Sequence, residues 1–196
     1  MCKQIQTEQR RFIHRETAVL SYRGAFGMAR RLPFYAKDIS EADKKEIREY
    51  VYNELWNLGK EYESKEKAQD EETHIERIEQ FQGDLNEKYG NLLSGGATTF
   101  GRAQKLINLY LKYMWCGAYI AEPSHCPVDG VVLQALQKRA KRHGKNEATS
   151  FSASAIPTSF TSMDKDTYTQ VIEYIREVAG PSMTLGTWEL HTFNDR

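Results

Sequence analysis

Ala103, Leu106, Ile107, Tyr110, Leu111 and Met114 recur at i, i+3, i+4, i+7, i+8 and i+11. That spacing draws one complete apolar face on a helix. It constrains the chain more than any other feature, because a face this long must be buried against neighbours of the same kind. Similar patterns surround it. Ile47, Tyr50, Val51, Leu55 and Leu58 follow Ser40, which with Asp43 forms a capping start. A helix over about 71–89 carries Ile75, Ile78, Leu85 and Tyr89, and Asp70, Glu71 and Glu72 suit the positive end of its dipole. The strong helix opens at Thr98 or Thr99 after Ser94-Gly95-Gly96, and Gly117 and Pro123 end it. Val132, Leu133, Leu136 and Ala140 line a helix that follows Pro127 and stops at Gly144. Residues 149–162 read as a packed connection, and a last long helix covers about 164–180 with a short turn after it to dock Trp188 and Phe193. No segment alternates with the two-residue period of a strand. The expectation is an all-α, single compact multi-helix domain over 1–196.

The chain has 27 basic and 27 acidic side chains and a formal net charge of zero, which excludes a generally cationic nucleic-acid coat. The zero is a cancellation between blocks. Residues 1–31 hold seven basic and two acidic residues, 37–90 hold nine and sixteen, 91–146 hold eight and two, and 147–196 hold three and seven. Such blocks mark either a local polyanion-binding face or segments of opposite sign that pack together. Hydrophobic residues at 40% exclude a fully disordered chain. No apolar run is long enough to span a bilayer, the N-terminus has no secretory pattern, and three cysteines make no disulfide framework. The cytoplasm is the expected compartment, with no membrane partner.

The chemistry-bearing residues gather in the basic block. Arg102, Lys105, Asn108 and Lys112 lie opposite the apolar face of the strong helix, on what reads as its solvent side. Pro127-Val128-Asp129 opens the next helix, where an aspartate ordinarily serves as a cap. Lys138, Lys141, Arg142 and Lys145 follow as a stripe at i, i+3, i+4 and i+7, without the i, i+4 acidic partners of an ordinary solvated face. Such a stripe suits phosphate contacts, with Arg102 and Lys112 of the preceding helix as further candidates for them. Lysine and aspartate on successive helices suit nucleophilic chemistry. An unprotonated amine attacks electrophilic carbon, and a carboxylate stabilises a cationic sugar. Tyr110 and Trp115 are candidates for stacking on a flipped base, against the ordinary role of aromatics as core. Tyr22-Arg23-Gly24-Ala25-Phe26-Gly27 forms a second basic aromatic segment, with Arg30-Arg31 after it. His125-Cys126 and Cys116 lack metal-ligand spacing, so no metal or cofactor is expected.

The stretch from Ser94 to Leu136 resembles the helix-hairpin-helix/Gly-Pro-Asp superfamily of DNA glycosylases. The resemblance rests on the glycine-bearing turn Gly95-Gly96 to Gly101, on a lysine in the helix that follows, and on the Pro-Val-Asp turn with Val132 three residues after the aspartate. It departs in spacing. The family's lysine usually stands where this chain has Ala103, and Lys105 precedes Asp129 by 24 residues, a few more than usual. The resemblance implies a helix-hairpin-helix element around 94–136, DNA as partner, Asp129 as catalytic aspartate and Lys105 as the Schiff-base nucleophile of a glycosylase/AP-lyase-like enzyme. The rival expectation is a non-enzymatic helical module that binds a protein partner or its own copy, steered by the acidic 37–90 block.

Overall fold

The structure, a computed structural model, describes residues 2–27, 33–143 and 155–195. Among the described residues it contains eight α-helices and no strand: α1 (Cys2–Tyr22), α2 (Glu41–Glu61), α3 (Lys65–Gln69), α4 (Glu71–Tyr89), α5 (Phe100–Cys116), α6 (Gly130–His143), α7 (Lys165–Ala179) and α8 (Leu185–Asn194). No described helix is long and apolar enough to cross a membrane.

Local chemistry explains where these helices start. Ser40 Oγ accepts the Asp43 N–H at 3.1 Å, Asp70 caps Thr73 at 3.1 Å, Thr99 caps Arg102 at 3.3 Å and Asp164 caps Thr167 at 2.8 Å. Each satisfies one of the donors a helix start leaves without an internal partner. Besides the five-residue α3, two elements exceed the sequence expectation. The basic N-terminal segment is a 21-residue helix, and the tail is a full helix capped by Thr184 in place of a short turn. Both carry mixed polar and apolar residues whose helical state is stabilised by packing on α5 and α6.

α5 runs through the centre. α1, α2, α4, α7 and the short turns Arg23–Gly27 and Phe160–Ser162 all pack on it. Only Leu109, Tyr113, Trp115 and Cys116 of its residues escape full burial. One contiguous core extends from Ala18 to Leu185, with Leu106, Ile107 and Leu111 near its middle. Each such side chain contributes roughly 1.5–3 kcal/mol of transfer free energy.

Before α5 the chain turns through Gly95 and Gly96, whose φ values of 77° and 82° lie in the left-handed region that glycine adopts without a steric penalty. Tyr35 and Leu93 form an isolated antiparallel bridge that ties this turn to the segment after α1.

Two of the charge blocks meet inside the chain: basic α1 reaches acidic α2 and its C-terminal turn through Arg15–Glu49 and Arg10–Glu63. Lys165 and Arg176 of α7, themselves in an acidic block, pair with Glu79 and Glu71 of α4 at 2.7 Å. The alternation of sign along the sequence therefore reports, in part, which segments pack together.

Candidate functional site

Asp129 stands at the start of α6, after the turn His125-Cys126-Pro127-Val128. Its Oδ1 accepts the N–H groups of Val131 at 2.8 Å and Val132 at 3.2 Å, so the carboxylate caps α6 and is held in one orientation. Its other oxygen, Oδ2, lies 3.7 Å from Lys105 Nζ on α5. The two side chains are 10% and 17% exposed. The ring of Phe160 covers the ammonium, with its centroid 4.3 Å from Nζ. Burial lowers the Lys105 pKa below that of a free lysine, and the Asp129 charge opposes that shift. The arrangement brings the neutral amine closer to accessible pH than solvent would allow.

A second pair repeats the pattern two turns along α5. Lys112 Nζ meets Glu189 Oε2 of α8 at 2.6 Å, and the Phe193 ring lies 4.3 Å from the same nitrogen. Burial pushes the Glu189 carboxyl up, with Lys112 pulling it down. Residues seven apart share a helix face, so one side of α5 carries two cation–carboxylate pairs, each under a phenylalanine.

The turn bearing Asp129 is anchored from the interior. Gln104 Nε2 donates to Val128 O at 2.7 Å, and Val128 N–H donates back to Gln104 Oε1 at 3.2 Å. One turn on, Asn108 Nδ2 faces Cys126 O and Gln104 Oε1 at 3.2 Å and Tyr168 OH at 2.9 Å. These acceptors leave Asn108 Oδ1 to receive the Nε2–H of His74 at 2.8 Å. His74 Nδ1 must then accept, and the Tyr62 hydroxyl donates to it. The Tyr168 hydroxyl, accepting from Asn108, donates in turn to His125 Nδ1 at 2.9 Å. The Nε2–H of His125 points toward Glu71 Oε2, 4.0 Å away. His74, Asn108, His125 and Tyr168 are all 1% exposed or less. Burial holds the His74 pKa at about 4 and that of His125 well below the usual imidazole range, so both are neutral in the fold.

Lys105 and Asp129, chosen from the sequence, do come together. Other expectations need correction. Arg102, Lys105 and Lys112 do not form a solvent face. They are 5%, 8% and 7% exposed, because α5 is covered on this face as well as on its apolar one. Arg102 and Lys112 are therefore not placed to meet phosphates. Tyr110 offers no stacking face, since it is fully buried and its hydroxyl hydrogen-bonds His14 at 2.9 Å. Trp115 is half-buried beside Gly186 of α8. Lys138 and Lys141 are exposed on α6, while the Arg142 side chain and Lys145 lie outside the described residues. Cys126 is buried but Cys116 is exposed, and no group of three metal-ligating side chains converges among the described residues.

Sequence reasoning missed the polar interior. Its signal was available in Gln104 and Asn108, amides at i and i+4 that sit beside the apolar stripe where a solvated helix face would carry charges. The chain matches no protein-family model, no curated protein and no solved structure.

Proposed function

We propose that the protein binds nucleic acid and acts on it as a DNA glycosylase/AP-lyase-like enzyme, with Lys105 as nucleophile and Asp129 as its carboxylate partner. The observation that carries this reading is the 3.7 Å approach of Lys105 Nζ to Asp129 Oδ2 across 24 residues of sequence, with both side chains largely withdrawn from solvent.

At an abasic site the neutral amine adds to the C1′ aldehyde, forming an N–C bond and a hydroxyl. Loss of that hydroxyl as water leaves an iminium, and removal of a C2′ proton then expels the 3′ phosphate. Burial lowers the Lys105 pKa and so favours loss of the proton that the attack requires, and the nearby carboxylate stabilises the cationic sugar and iminium. The capping bonds from Val131 and Val132 hold that carboxylate without reorganisation during the reaction. Phe160 covers Nζ, so the ring must swing aside to admit the sugar.

Borohydride reduction in the presence of an abasic oligonucleotide tests the reading. The expected result is a covalent protein–DNA adduct from the native chain, none from Lys105→Ala, and adduct formation slowed at least about tenfold in Asp129→Asn. An adduct that survives Lys105→Ala removes the nucleophile, and unchanged rates in Asp129→Asn remove the aspartate.

A further inference from the structure

Arg102 and Lys112 are interior and offer nothing to phosphates, while Lys138 and Lys141 remain exposed on α6. A different surface carries uncommitted cations. Where α1 gives way to the π-helical turn Arg23–Gly27, a cleft of about 590 Å³ opens against α2. Arg15, Arg23, Lys45 and Arg48 line it together with Tyr35 and Tyr52, and Glu49 is the one carboxylate among its described lining residues. Glu49 reaches Arg15 only at 3.9 Å. Arg23, Lys45 and Arg48 make no ion pair among the described residues. Four cations against one carboxylate therefore leave the concave site with an excess of positive charge.

Its aromatic wall is built in. Tyr22 lies behind Tyr35 and Tyr52, hydrogen-bonded to the hydroxyl of the first and edge-on to the ring of the second at 5.9 Å. Main-chain bonds Ala36 N–H to Leu92 O and Ser94 N–H to Phe34 O clamp the strand-like segment that carries Tyr35. Tyr35 and Tyr52 stay partly exposed. A single π-helical turn is rare and recurs at functional sites. This one packs its Gly24 so tightly on Leu109 that an added Cβ would lie 2.8 Å from Leu109 Cδ1. Leu109 is one turn beyond Lys105 on the same side of α5.

We infer that this α1/α2 cleft is a binding groove for single-stranded nucleic acid, its arginines and lysine holding phosphates and Tyr35 and Tyr52 stacking on bases. Cations that track a backbone beside exposed aromatic rings are the combination a strand of nucleotides requires. The inference deepens the nucleic-acid reading of the Lys105 site by naming the surface that holds the strand.

The test is fluorescence anisotropy with a labelled 12-mer DNA single strand and, for comparison, a backbone of the same length and charge made of tetrahydrofuran abasic units, which lack the reactive aldehyde. Arg23→Gln/Arg48→Gln is expected to weaken both by roughly tenfold at moderate salt and to reduce the slope of log K against log salt by about 1.4. Tyr52→Leu is expected to weaken the DNA strand severalfold and leave the abasic backbone unchanged. Lys105→Ala is expected to bind like the native chain while losing the borohydride adduct. Native-like affinity in Arg23→Gln/Arg48→Gln overturns the groove and leaves the Lys105 chemistry standing. Equal affinity of the native chain for both strands overturns the stacking role, and no binding of either strand overturns the nucleic-acid reading itself.

Discussion

Lys112 Nζ and Glu189 Oε2 meet at 2.6 Å in a place where the two side chains are only 9% and 3% exposed. The pair ties the central helix to α8, whose helical state the sequence did not announce. Removing one member leaves the other charge desolvated without a partner, which costs more than the pair contributes. Glu189→Ala should lower unfolding free energy by about 3–5 kcal/mol, whereas Lys112→Met/Glu189→Leu should cost less than Glu189→Ala alone. Urea denaturation of the three chains measures this. A double variant less stable than the single would contradict it.

Asp129 serves two neighbours at once, the α6 amides through Oδ1 and Lys105 through Oδ2. Asn at this position retains the capping oxygen and loses the charge, while Ala loses both. Both variants leave the Lys105 ammonium without its partner, so Asp129→Ala should cost about 1 kcal/mol more than Asp129→Asn, the difference being the cap. Equal thermal midpoints for the two variants would show that the cap contributes nothing.

Gly101 illustrates a glycine required by packing. A Cβ there would lie 1.7 Å from Phe160 O and 3.2 Å from Met163 Cβ, and the Gly101 N–H donates to Met163 O at 3.0 Å. Gly101→Ala should cost about 2 kcal/mol or more, because the backbone of the Phe160 turn must retreat. Gly83 of α4 is the control. It is exposed with nothing within 4 Å of its added Cβ, so Gly83→Ala should stabilise by about 0.5–1 kcal/mol. Calorimetry on both variants tests the contrast.

The buried histidines set the response to acid. His74 takes a proton in the fold only near pH 4, against 6.5 for a free imidazole. Between those values the unfolded chain binds the proton and the native chain does not. Stability from this group is therefore complete above pH 6.5 and is lost as pH falls toward 4, by about 3 kcal/mol in total. His125, depressed in the same direction, adds to the slope. Urea midpoints measured across pH 4–7 should fall more steeply for the native chain than for His74→Gln. Parallel curves would remove His74 from the acid response.

The helices that were legible announce themselves locally. Ser40, Thr99 and Asp164 stand immediately before apolar repeats and cap them, and the Ala103–Met114 stripe is core along its length. α1 was not legible, because the sequence displays Arg10, Arg11 and Arg15 more clearly than the apolar positions between them. Its packing against α5 stabilises the helix through neighbours up to 97 residues away, as in the Thr17–Met114 contact.

The site divides along the same line. Residue types alone singled out Lys105 and Asp129 as candidates, since a Pro-Val-Asp turn and a helical lysine are local patterns. They could not reveal that Arg102, Lys105 and Lys112 lie inside, because a helix shows the same periodicity whether one side or every side of it is covered. Nor could they show that Gln104 and Asn108 hold the Asp129 turn from within. By itself the sequence determined an all-helical fold, most of its helix boundaries and the alternating blocks of charge. Only the tertiary structure decided which charges meet within the chain, which are desolvated and which remain free around the α1/α2 cleft. Burial and pairing depend on segments distant in sequence, and no local pattern records what packs against a helix's second face.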